Sequence, residues 1–238
     1  MTGIVAGLLF VIAGWLSILA AQLRWGDACA GGFDSQSCLV VQDHLYDYLL
    51  PMEPWVQIAG AAELAGSSYL VVALAIALVC AAVRSSVWGR VLQVMLVLSV
   101  VLFGLTTVLS GGAGAPIEPA TSLAEWLFLG WAIVGPMALV VFVTHYALGP
   151  AADSLLPPLA WTLWAGLLVL ATPFPEYFLM SLAVGYTSYD TTPRTGAGAG
   201  VVFSSAGLVL IAGVVWNATR RASLSHAGRS PAASVPSG

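Results

Sequence analysis

The sequence contains no lysine, and only 8% of its 238 residues carry a charge. A chain without lysine has no Schiff-base lysine and no P-loop lysine, which excludes the enzymes and nucleotide-binding proteins that depend on those groups. The formal net charge of −4 leaves no basic surface for nucleic acid. The signature motifs of zinc proteases, serine hydrolases and CxxC redox proteins are also absent from the sequence.

Apolar residues are abundant instead. They make up 59% of the chain, and the mean hydropathy is +0.94. A soluble domain is about half apolar and about a quarter charged, so one soluble core cannot bury this much apolar surface. The composition therefore predicts an all-α fold, a polytopic integral membrane protein whose main partner is the lipid bilayer.

Six stretches are long and apolar enough to cross a membrane, which takes about 20 residues. They are residues 4–22, 55–83, 89–110, 122–148, 155–173 and 200–217. The first stretch has no basic residue before it and exceeds the 7–15 residues typical of a signal-peptide core, so we expect it to be retained. Residues 1–221 are predicted to form one bundle of six transmembrane helices, and residues 222–238 a disordered cytoplasmic tail.

The arginines predict the orientation of this bundle, because cytoplasmic loops carry an excess of basic residues. With the amino terminus inside, Arg24 and Arg194 lie outside. The other five lie on the cytoplasmic side: Arg84, Arg90, Arg220, Arg221 and Arg229. We therefore expect a cytoplasmic (inner) membrane protein with both termini in the cytoplasm.

The predicted external loops, about 23–54, 111–121 and 174–199, form an extracytoplasmic cap. Nine of the eleven acidic residues lie in this cap or at its boundary. Cys29 and Cys38 lie in the first loop, where an oxidising compartment favours a disulfide. The third loop includes an apolar segment too short to cross the membrane, which predicts a re-entrant or surface-lying helix.

The densest polar cluster is in the first loop and comprises Asp43, His44 and Asp47, with Glu53 a little further along. On a helix, Asp43 and Asp47 would share one face and His44 would neighbour Asp47. Carboxylates beside an imidazole can bind a divalent cation or exchange protons. An exposed, solvated turn explains the same residues. We predict no metal site and no cofactor.

Glu63 is an acidic residue inside a predicted span. If a helix begins at Trp55, Glu63 lies two turns along it, about 12 Å deeper. An ionisable group at that depth costs at least about 2–3 kcal/mol unless it faces the bundle or a wet cavity. Gln57, Ser67 and Ser68 add hydrogen-bonding groups nearby. Glu63 is thus predicted to face inward, either in a solute pathway or in a structural hydrogen bond between helices.

Three functional hypotheses follow. The first is small-solute or ion handling through a bundle containing Glu63, with an acidic external entrance. The second is a non-catalytic subunit or assembly partner, bound to other membrane proteins or to copies of itself through small-residue faces such as Gly3 and Gly7. The third is an extracytoplasmic-facing membrane enzyme. It would use the side chains of Asp43, His44, Asp47 and Glu53, but no nucleophile–base pair is evident, and no catalytic residue is predicted.

Overall fold

The computed structural model describes residues 1–48, 53–83, 85–117, 156–186 and 191–227, together with residues 51, 126, 130 and 188. Within these residues all regular structure is helical. The helices are α1 (Thr2–Trp25), α2 (Gln36–Val41), α3 (Ala61–Ala82), α4 (Val87–Ala113), α5 (Pro158–Leu170), α6 (Pro173–Val184) and α7 (Ala197–Ala227), with a 3₁₀ turn at His44–Tyr46. The all-helical prediction is confirmed for this part of the chain.

Four helices, α1, α3, α4 and α7, are each long and apolar enough to span a membrane. A fifth crossing is counted if α5 and α6 form one broken span, since the pair passes the same test with an 84° bend between them. Four or five apolar helices of this kind are typical of a membrane protein. The predicted span 122–148 lies outside the described residues except for Trp126 and Gly130, so the count of six stays a prediction.

The second predicted span is shorter than its apolar run. Helix α3 begins at Ala61 rather than at Trp55, because Gly60 takes a left-handed conformation (φ 79°) at the helix boundary. The preceding residues are not helical, and the Val56 N–H donates to the carbonyl of Leu45. The depth predicted for Glu63 assumed a continuous helix from Trp55, and Glu63 instead lies in the first turn of α3.

The fifth predicted span is interrupted. Helix α5 has 13 residues and is about 20 Å long, which is less than the hydrocarbon thickness. Pro173 then starts α6, because a proline has no N–H for a continuing helix and is favoured in a first turn. Helix α6 corresponds to the short apolar segment predicted to be re-entrant or surface-lying. At the other end of the chain, α7 continues to Ala227, past the predicted start of the tail, and residues 228–238 lie outside the described residues.

Helix α1 is the centre of the bundle and packs against both α3 and α7, while α4 packs on α3 and α5 packs on α7. Glycines bring α1 and α7 into backbone contact. A Cβ atom on Gly7 would lie 2.8 Å from the carbonyl oxygen of Gly207, and a Cβ on Gly200 would lie 2.6 Å from that of Gly14. Small residues at such contacts are typical of closely packed membrane helices. The small-residue face of α1 that includes Gly7 is therefore used inside the chain.

The two ends of the bundle differ in their charged residues. We call the end where α1 and α4 finish and α3 and α7 begin the disulfide end, since the Cys29–Cys38 loop follows α1 there. Arg24 and Arg194 lie at this end, whereas Arg90 and Arg220 lie toward the other. The orientation predicted from the arginines, with the disulfide end outside, stays a prediction.

Candidate functional site

The loop after α1 folds back over the end of that helix. The sulfur atoms of Cys29 and Cys38 lie at disulfide-bonding distance, as the sequence predicts. The Ser35 hydroxyl caps α2 by accepting the N–H of Cys38, and the Gln42 amide donates to the Phe33 carbonyl at 2.8 Å. A disulfide, a helix cap and a side-chain hydrogen bond thus hold α2 in place, with the carbonyl of its last residue, Val41, at the end of α1.

Arg24, in the last turn of α1, is only 6% exposed. Its Nε and Nη2 atoms donate to the Val41 carbonyl at 3.1 and 2.9 Å, and its Nη1 atom lies 3.7 Å from a carboxylate oxygen of Asp47. The guanidinium also lies over the Trp25 ring, 4.3 Å from its centroid. Burying a charge is costly unless it is paired and hydrogen-bonded, and these contacts meet that requirement. The loop and the bundle are therefore joined through a buried cation.

A small cavity of about 30 Å³ lies next to Arg24, between α1, α3 and the start of α7. Its walls are Ser17, Ala20, Ala21, Arg24, Tyr48, Ala61, Ala65, Tyr69, Thr195 and Gly196. A water needs about 10–15 Å³ of such space, so the cavity has room for about two waters or an ion of that size. The wall combines small apolar side chains with a guanidinium, two phenols and hydroxyl groups.

Two wall residues are already oriented by hydrogen bonds. The Ser17 hydroxyl donates to the Gly196 carbonyl at 2.7 Å and connects α1 to the start of α7. The Tyr48 hydroxyl donates to the Val56 carbonyl at 2.6 Å. Burial raises the pKa of the Tyr48 phenol above its usual value, so this group stays a neutral donor. These bonds give the cavity a preorganised polar lining.

Glu176, in the first turn of α6, is fully buried beside the same end of α7. One oxygen, Oε1, accepts the backbone N–H groups of Gly196 at 2.6 Å and Ala199 at 2.9 Å. Unpaired N–H groups and the dipole favour negative charge at a helix N-terminus. The other oxygen, Oε2, has no hydrogen-bond partner among the described residues. The sequence places Glu176 in the acidic outer cap, whereas the structure buries it within the fold.

The charged groups of the disulfide end lie close enough to act on one another. Tyr69, on the cavity wall, is within electrostatic range of Glu176 and Asp47, and Asp47 is within range of Glu176. Glu63 lies within range of Tyr48, on the wall contributed by the loop. Arg24 therefore lines the cavity, and three carboxylates lie within electrostatic range of its two tyrosines.

The predicted loop cluster is divided by the structure. His44 begins a 3₁₀ turn rather than an α-helix, and its Nδ1 atom lies 2.9 Å from the Asp43 carboxylate, with both side chains about half exposed. Asp47 turns the other way, toward Arg24. Glu53 is exposed. In the described part of the chain, no group of three or more His, Cys, Asp or Glu residues could hold a metal ion.

The residues predicted around Glu63 are more dispersed than the sequence indicates. Glu63 is half-buried, and its carboxyl lies against α4, where a Cβ atom on Gly111 would be 2.9 Å from its Cδ. Its Oε2 atom is buried and has no hydrogen-bond partner among the described residues. The Gln57 amide donates to the Gly111 carbonyl at 2.5 Å. The Ser68 hydroxyl donates to the Ala13 carbonyl at 2.8 Å, joining α3 to α1, and Ser67 is half-buried on α3.

Sequence reasoning missed Arg24, Tyr69 and Glu176 as site residues. Arg24 and Glu176 have the positions of ordinary boundary charges, at the end of an apolar run and after a pair of prolines. Their hydrogen-bond partners on Val41, Gly196 and Ala199 are backbone atoms, which leave no residue-type signal, although Arg24 also pairs with the Asp47 carboxylate. The presence of a buried charge at each position follows from the three-dimensional packing alone.

Comparisons of the chain with protein-family models, with curated proteins and with solved structures found no match. The geometry of the disulfide end is the basis for a functional interpretation.

Proposed function

We propose that the protein is a membrane protein that handles a small solute or ion at the cavity of its disulfide end. The single observation that carries this proposal is the cavity itself, with the buried guanidinium of Arg24 and the phenols of Tyr48 and Tyr69 on its wall. Charged side chains in membrane proteins are costly, and they commonly mark substrate or ion pathways. At about 30 Å³, the cavity suits a ligand of a few atoms rather than a drug-sized molecule.

The acidic residues near the cavity support an entrance from the disulfide end. Asp47 is 30% exposed in its side chain and pairs with Arg24, so it connects solvent with the buried cation. Glu63 is half-buried and lies within electrostatic range of Tyr48. In this proposal both carboxylates belong to the entrance, and Glu63 lies at the mouth of the pathway rather than deep in the bundle.

Filling the cavity should block the activity. Ala65 is on the cavity wall, and Ala65→Leu adds three carbons to a space that holds about two waters. We expect this variant to lower ion flux into proteoliposomes at least tenfold. A pH-sensitive dye measures the flux of protons, and radioactive tracers measure the fluxes of Na⁺ and Cl⁻. Ala81→Leu, at an exposed position of the same helix, should leave flux unchanged.

Folding must be checked in parallel, and size-exclusion profiles and thermal unfolding of both leucine variants should match those of the wild type. Glu63→Gln removes a charge from the proposed entrance and should also reduce flux. Wild-type liposomes that pass none of the three ions, or an Ala65→Leu variant that passes them at the normal rate, would contradict the proposal.

A second candidate function is that of an assembly partner, and Trp15 favours it. Trp15 lies midway along α1 and is 60% exposed, whereas tryptophans prefer the two ends of a membrane helix. A partner helix would cover it.

In mild detergent the wild type should then exceed the 24.6 kDa mass of one chain or retain a stoichiometric partner, and Trp15→Leu should abolish this association. Trp216→Leu, near the far end of α7, is the control. A clean monomer in the wild type would count against this candidate.

A further inference from the structure

The positive groups around the cavity can be counted within the described part of the chain. Helices α3 and α7 both begin at the disulfide end, and Ala61 and Gly196, at their starts, line the cavity. A helix N-terminus carries about half a positive charge. With the guanidinium of Arg24, the fixed positive charge is about +2. Arg194 lies nearby on the loop before α7, but it is exposed, so solvent and salt screen its charge.

The negative groups exceed this positive charge. The carboxylates of Asp47, Glu63 and Glu176 together carry −3 when all three are ionised. Each is assigned to a different positive group: Asp47 to Arg24, Glu63 to the first turn of α3, and Glu176 to the N-terminus of α7. The sum leaves about one negative charge unbalanced, and whereas Asp47 and Glu63 are partly exposed and screened by solvent, Glu176 is fully buried, where uncompensated charge is costly.

Glu176 is the place where this excess is least tolerated. It is fully buried, and of its two oxygens only Oε1 is hydrogen-bonded among the described residues, while Oε2 is buried without a partner. A buried carboxylate oxygen without a donor either takes a proton or faces a cation. Among the described residues, Tyr69 from α3 and Asp47 from the loop lie within electrostatic range of Glu176, and neither brings a positive charge.

We infer that the disulfide end binds one monovalent cation, a proton or an alkali-metal ion, at the buried Oε2 atom of Glu176 beside the cavity. This inference rests on the proposed function and names the ion. A proton would form an O–H bond at Oε2 and leave Oε1 as the acceptor of the two α7 N–H groups. An alkali-metal ion would be held by Oε2 and by further oxygen atoms, the ligands that hard cations prefer.

The test uses the full-length protein in detergent, with Glu176→Gln as the main variant. Glutamine keeps a carbonyl oxygen that can accept from Gly196 and Ala199, so the helix cap is preserved. Glu53→Gln, at an exposed site, is the matched control. Infrared spectroscopy in choline chloride detects a bound proton through the carbonyl stretch of a protonated carboxylic acid. Thermal unfolding detects a bound metal ion, by comparing the Tm in NaCl or KCl with the Tm in choline chloride at the same ionic strength.

If the cation is a proton, the wild type and Glu53→Gln show the protonated carboxyl band and Glu176→Gln lacks it. If it is a metal ion, Na⁺ or K⁺ raises the Tm of the wild type by about 5 °C at concentrations about 100-fold above Kd, and the rise is lost in Glu176→Gln. Either result supports the inference. A wild type with neither signal, or a signal of full size in Glu176→Gln, overturns it.

A second variant guards against misfolding of Glu176→Gln. Glu63→Gln removes one of the three negative charges, so the surplus disappears and the wild-type signal should fall by at least half. An unchanged signal overturns the charge argument. The two proposals can fail separately. If Ala65→Leu blocks flux but no signal depends on Glu176, only the cation site is refuted. If a signal depends on Glu176 but the wild type shows no flux, only transport is refuted.

Discussion

Replacing Arg24 with Met is expected to lower the free energy of unfolding by about 3 kcal/mol, since breaking a buried charge pair commonly costs 3–5 kcal/mol and the 30% exposure of Asp47 reduces this. The methionine keeps the apolar packing of the arginine stem but donates nothing. The Val41 carbonyl loses both of its side-chain donors, and the Asp47 carboxylate loses its nearest cation. The loop that closes the disulfide end should therefore loosen.

Thermal unfolding in detergent measures the effect, and Arg194→Gln is the control because its side chain is exposed. The double variant Arg24→Met, Asp47→Asn should recover part of the loss, since it no longer leaves a carboxylate without its partner. Equal Tm values for Arg24→Met and Arg194→Gln would contradict the structural role assigned to Arg24.

Gly14→Leu should be at least as damaging, because it places a side chain where two helix backbones touch. A Cβ atom at Gly14 would overlap the Ser204 hydroxyl and the Gly200 carbonyl and would lie 2.9 Å from the Ser204 nitrogen. Extra atoms in a well-packed core cost about 1–3 kcal/mol when side chains can move aside, and backbone atoms cannot. We expect a loss of more than about 3 kcal/mol and a broadened size-exclusion profile, since α1 is the helix that joins α3 to α7.

Gly166→Leu is the matched control, because it introduces the same side chain into the interior of α5, where a Cβ atom would meet nothing within 4 Å. Leucine has a better helix propensity than glycine by up to about 1 kcal/mol, so this variant should be neutral or slightly stabilised. A Gly14→Leu protein as stable as Gly166→Leu would show that α1 and α7 do not pack as described.

The features that the sequence predicted well depend on local chemistry. The apolar runs that became α1, α4 and α7 were evident from composition and length, since a bilayer requires long helices whatever their neighbours. The Cys29–Cys38 pair was predictable because both residues lie in one predicted external loop, where an oxidising compartment favours a disulfide. The apolar segment after Glu176 was also recognised as too short to cross, and it corresponds to α6.

The predictions that needed more than local chemistry were less accurate. The start of the second span was placed too early, since hydropathy does not detect the left-handed Gly60 that begins α3 at Ala61. The loop cluster was assumed to be one helical face, but Asp47 turns to Arg24 because the buried cation attracts a carboxylate more strongly than an exposed histidine does.

The sequence by itself determined that this chain is helical, that bilayer-length apolar helices dominate it, and that five of its eleven acidic residues lie between positions 23 and 54, around the disulfide. Tertiary structure alone decided which charged side chains, acidic or basic, are buried. Glu176 meets the N–H groups of Gly196 and Ala199, 20 and 23 residues away, and Arg24 meets a carbonyl 17 residues away. Backbone atoms supply these hydrogen-bond partners, and every residue type has them, so only the packing of α1, α6 and α7 turns two ordinary boundary charges into parts of one candidate site.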